Sequence, residues 1–87
     1  MDQREDRRRR LIERIELHRA YCRALAGADG DRVLADLSRR GFEQHSSYAP
    51  EPGRTEFNEG RRSLVLHIRR MLDENAFKPL IEEVSHD

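Results

Sequence analysis

His18 and Cys22 stand four residues apart, a spacing that places an imidazole and a thiol on one helix face and supplies half of a tetrahedral zinc site. The sequence offers no second half at ligand spacing, since His45, His67 and His86 are isolated, so the pair reads as two packing positions. Asp29-Gly30-Asp31 resembles the opening of a calcium loop, but the twelfth position counted from Asp29 is Arg40, where a bidentate glutamate is required. Ser46 and Ser47 follow His45 without the glycine elbow or orienting acid that nucleophilic catalysis needs. The expectation is a non-enzymatic chain with no metal and no cofactor.

Arg7-Arg8-Arg9-Arg10 is the strongest electrostatic feature. On a helix these side chains point almost all round, so carboxylates or phosphates could be met from several sides. Asp2, Glu5 and Asp6 partly neutralise the run, and no aromatic residue interleaves to stack bases, so a nucleic-acid contact is possible but not favoured. Seventeen basic and seventeen acidic residues give a formal net charge of zero, which removes the global field of a nonspecific nucleic-acid binder. Residues 1–25 hold eight arginines against five acids, whereas residues 75–87 hold one lysine against three acids, so the chain is mildly bipolar.

These residues need elements to position them, and the composition limits the choice. Apolar residues make up 36% and charged residues 39% of 87 positions, which favours narrow helical stripes over a sheet and leaves a small core. The expected class is all-α, a three- to four-helix unit with a charged N-terminal helix over residues 1–26 and a helical part over 27–87. Leu11, Ile15, His18, Cys22 and Leu25 recur at steps of 4, 3, 4 and 3 and define the first helix, from about residue 3 to 26. Its first two turns carry no apolar residue and are expected to project into solvent or fray unless something binds them. The stripe, with Leu11, Ile15, Arg14 and the arginine run, is the candidate surface for self-association or a protein partner.

Val33, Leu34 and Leu37 predict a short second helix over about 31–40, after a break at Gly27. Phe42 and Tyr48 are expected to pin the following loop, in which Pro50 and Pro52 push their predecessors toward extended geometry. A third helix over about 55–73, capped by Thr55, would bury Phe57, Leu64, Val65, Ile68, Met71 and Leu72, with Gly60 admitting a neighbouring backbone. Arg61 and Arg62 flank that face, with Asp36 or Glu43 as candidate clamps for Arg61 and a partner-facing anchor as the alternative. A short terminal helix is expected from Pro79. One cysteine allows no internal disulfide, and no apolar run approaches a membrane span, so the reading is of a soluble chain made in a cytoplasm.

From Gly30 to Asp73, Val33-Leu34-Ala35-Asp36-Leu37, Ser46-Ser47-Tyr48, Pro50-Glu51-Pro52 and Phe57-Asn58-Glu59-Gly60-Arg61-Arg62 resemble a small-protein family of tailed bacteriophages and prophages, typified by a short Bordetella phage protein of the morphogenesis region. The resemblance covers about half the chain and makes Tyr48, Pro50, Pro52, Phe57, Asn58, Glu59 and Gly60 its structural motif. Arg40-Gly41 stands where the family often has an aromatic residue and a cysteine. The resemblance implies a phage origin and, through gene neighbourhood, a link to virion structure or assembly, in the host cytoplasm or the particle. It carries no known enzymatic activity. A phage regulator that binds a host defence complex or polymerase is the alternative.

Overall fold

The computed structural model describes residues 2–41 and 48–86, and it consists of four helices: α1 (Gln3–Ala24), α2 (Gly27–Arg40), α3 (Arg54–Leu72) and α4 (Glu74–Ser85). The expected all-α class is what the chain adopts, with no strand among the described residues. Phe42, Glu43, His45, Ser46 and Ser47 lie outside the described residues, and with them the expectations placed on that stretch.

α1 is the axis of the molecule. α3 packs on its C-terminal part and α4 on its N-terminal part, both antiparallel to it, while α2 packs on α3. Among the described residues the buried apolar set is small: Leu11 and Ile15 from α1, Val65 and Met71 from α3, and Phe77 from α4. The body is slender. Its radius of gyration is 16.8 Å, against about 12 Å for a compact domain of this length, so much apolar surface lacks a cover.

Local chemistry sets the boundaries. Asp2 accepts a hydrogen bond from the Arg4 amide at 3.1 Å and caps α1. The α1–α2 corner is tight: Gly27 has φ +73°, a Cβ on Gly30 would collide with the Leu25 carbonyl, and α2 begins four residues earlier than its apolar pattern suggests. Gly41 makes the other close approach, its Cα facing the Val65 side chain. Gly60, expected to take that role, has open space where its Cβ would be.

Thr55 does not cap α3. That position belongs to Gly53 at φ +77°, and the Thr55 hydroxyl instead clasps Ala49, donating to its carbonyl at 3.1 Å and accepting from its amide at 3.0 Å. This bidentate contact closes the Pro50–Pro52 turn. Tyr48, expected to pin the loop, is 75% exposed.

Asp73 separates α3 from α4. With φ −82° and ψ 110° it breaks the helical path, and its carboxylate accepts from the Asn75 amide at 3.0 Å. α4 therefore starts at Glu74, ahead of Pro79, which lies inside the helix. The missing proline N–H would have bonded the Asn75 carbonyl near the helix start, where one lost rung is tolerated.

Candidate partner-binding surface

The helix dipole leaves α3 with unpaired carbonyls at its C-terminus, just where the chain breaks. His18 and Cys22 serve those carbonyls. His18 Nδ1 donates to the Met71 carbonyl at 2.6 Å, and the Cys22 thiol points to the Leu72 carbonyl at 3.9 Å. A carbonyl can only accept, so the Nδ1 proton is fixed by its partner. The imidazole also stacks on Phe77 at a centroid distance of 4.3 Å. Structural joinery between α1, α3 and α4 thus occupies both residues, and among the described residues no three His, Cys, Asp or Glu side chains converge as metal ligands would.

The first turns of α1 are bound within the chain, so the arginine run does not project freely. Arg7 makes a bidentate pair with Glu83, Nε to Oε1 at 2.9 Å and Nη2 to Oε2 at 3.2 Å, and Arg8 donates to the Val84 carbonyl at 2.7 Å. Arg9 pairs with Asp6 of its own helix at 3.0 Å. The last turn of α4 thereby anchors the first turns of α1. The hydrogen bond to Glu83 and the carboxylate's charge raise the Arg7 pKa above its usual value, while its slight desolvation acts the other way. A raised folded-state value contributes stability below the ordinary guanidinium range and loses it only above that range, so this arginine stays charged through all neutral pH. Arg10 and Arg14 are exposed on α1.

Leu11 and Ile15, candidates for partner contact, are buried within the chain's own core. The apolar surface left uncovered lies elsewhere, on α3. Phe57 is 57% exposed and Leu64 is 62% exposed, seven residues apart with the open Gly60 between them. The guanidinium groups of Arg54 and Arg61 sit over the Phe57 ring at 5.5 and 5.7 Å from its centroid, one turn to either side. Asp36, a proposed clamp for Arg61, binds Arg39 and Arg40 of α2 instead. Arg62 is half-buried, and Asn58, on the opposite side of the helix from solvent, is buried.

The strip continues onto α1. His67 lies one turn beyond Leu64 and meets Tyr21 edge-on at 6.2 Å, and Leu17, one turn from Tyr21, is also exposed. Sequence periodicity groups Phe57 and Leu64 on one face, but it does not state whether another element covers that face, and both side chains stand more than half exposed. The neighbourhood of Leu17, Tyr21 and His67 forms only when α1 and α3 pair, so no local spacing in the sequence marks it.

No described helix is long and apolar enough to cross a membrane. No curated protein and no solved structure matches the chain. The model of one family, the Bbp19-like phage proteins, matches residues 21–82, which takes in the end of α1, all of α2 and α3, and most of α4. By that match the chain belongs to the Bbp19-like phage protein family.

Proposed function

We propose that this phage protein is a non-enzymatic accessory or assembly component that docks the exposed face of α3 onto another protein chain, as part of the virion. Phe57 carries the reading. An aromatic ring left more than half exposed and bracketed by two arginine heads has the makeup of an interface anchor, in which aromatic and arginine side chains dominate the binding energy. Folding alone gives no reason to place Phe57 and Leu64 in water on one face. Gly60 between them would let a partner's backbone approach closely.

The nucleic-acid reading has less support. Two of the four clustered arginines are held by Glu83 and Val84, and the formal net charge is zero. A host-directed regulator would use the same α3 face, so the two protein-binding readings differ in where the protein goes.

A phage lacking the gene, supplied in trans with the wild type or with Phe57→Ser/Leu64→Ser, tests the proposal by mass spectrometry of purified particles. The expected result is wild-type protein in every virion and the variant lost from it. Particles free of the wild-type protein would overturn the virion assignment and favour a host partner.

A further inference from the structure

Phe77, Leu80, Ile81 and Val84 recur at helical spacing and form one apolar stripe along α4. The helix that packs on this stripe is α1, and the side chains that meet it come from the N-terminal part of α1. His18 stacks on Phe77, Ile12 and Ile15 share a cavity wall with Ile81 and Val84, and Leu11 shares another with Val84. The family match starts at residue 21. The matched stretch therefore holds Phe77, Leu80 and Ile81 but not Leu11, Ile12, Ile15 or His18, which cover them.

That cover is incomplete and lightly fastened. Phe77 is buried, but Leu80, Ile81 and Val84 are half-buried, and cavities of about 290 and 140 Å³ remain along the seam. The fastening is the Arg8 bond to the Val84 carbonyl and the Arg7–Glu83 pair, whose side chains are 64% and 44% exposed and so contribute little. Asp73 is the one non-helical residue between α3 and α4, and rotation there frees α4 from α1 with both helices intact.

We propose that residues 3–20 are a built-in cover over a second docking face, the Phe77–Val84 stripe of α4, which receives an arginine-headed amphipathic helix of another protein chain when α4 parts from α1. The cover itself displays the chemistry that fits. Leu11 and Ile15 stand one turn apart, with Arg7 and Arg8 one turn ahead of them. The receiving end is a negative pole, because the last turn of α4 has no basic residue and carries Glu82 and Glu83 beside the unpaired carbonyls of the helix end. In the closed chain the tethered cover competes with an incoming helix, so the observed affinity falls with the fraction of chains that are open.

The probe is a fluorescent peptide of residues 2–20, titrated with the full chain and read by anisotropy. Wild-type chain should bind it weakly. Arg7→Ser/Arg8→Ser in the chain loosens the tethered cover but leaves the arginines of the peptide in place, and it should tighten binding by about five- to tenfold. Glu83→Gln added to that variant should weaken binding again, and a peptide carrying Leu11→Asp/Ile15→Asp should not bind. Phe57→Ser/Leu64→Ser should leave every one of these results unchanged, so the two docking faces are tested separately. Binding no tighter in Arg7→Ser/Arg8→Ser than in the wild type, with matching circular dichroism, would overturn the proposal, as would equal binding of the Leu11→Asp/Ile15→Asp peptide. A wild-type chain whose mass in sedimentation equilibrium doubles by about 100 μM would seat a second copy on the face instead of another protein, and would overturn it too.

Discussion

His18 donates its Nδ1 proton to the Met71 carbonyl at 2.6 Å while its ring lies flat on Phe77 at 4.3 Å, and so one side chain of α1 holds α3 and α4 at the point where they part. His18→Ala removes the hydrogen bond, leaves a helix-end carbonyl without its donor and opens a cavity beside Phe77. The expected cost is about 2–4 kcal/mol in urea unfolding. Cys22→Ala, which loses only a long thiol contact, should cost less than half as much. Equal losses would mean that the imidazole is not the joint.

Val65 and Leu64 are neighbours with opposite fates. Val65 is 5% exposed against Gly41, and Leu64 is 62% exposed. Val65→Asp should remove several kcal/mol, enough to unfold a domain with so small a core. Leu64→Asp should change stability by no more than about 0.5 kcal/mol. Thermal unfolding followed by circular dichroism distinguishes them, and a collapse in Leu64→Asp would show that the face is covered.

Two glycines should respond with opposite signs. Gly30→Ala forces a Cβ onto the Leu25 carbonyl and should destabilise by about 1–3 kcal/mol or more. Gly60→Ala meets open space inside a helix and should stabilise by up to about 1 kcal/mol. Denaturant midpoints of the two variants give the comparison directly.

Much of this architecture was legible in the sequence. The 4-3-4-3 spacing from Leu11 to Leu25 located α1 and its buried face, because a helical period states which side chains share a side. It does not state whether another element covers that side, and so the expected burial of Phe57 and Leu64 does not hold. Pro79 carried a helix-start signal, but the Asp73 carboxylate, free to accept from Asn75, set the boundary earlier. The clasp between Arg7, Arg8 and the end of α4 joins residues 76 positions apart, and no local pattern announces such a contact.

The clasp has its own test. Arg7→Ser/Arg8→Ser should speed hydrogen exchange of the amides in the first turns of α1 and the last turn of α4, leaving the α3 amides near Met71 unaffected. High salt should reproduce part of the effect in the wild type, since the Arg7–Glu83 pair is exposed and therefore screened. Unchanged exchange at both ends would show that the two termini do not hold each other.

Whether the α3 face meets another protein during phage growth can be read by photo-crosslinking from that face in infected cells. A photoreactive residue at position 60 lies between Phe57 and Leu64 in open space, and one at Glu13 on α1 serves as an exposed control. One discrete adduct is expected from position 60, carried into purified virions and abolished by Phe57→Ser, with none from position 13. The same weak, diffuse labelling from both positions would contradict it.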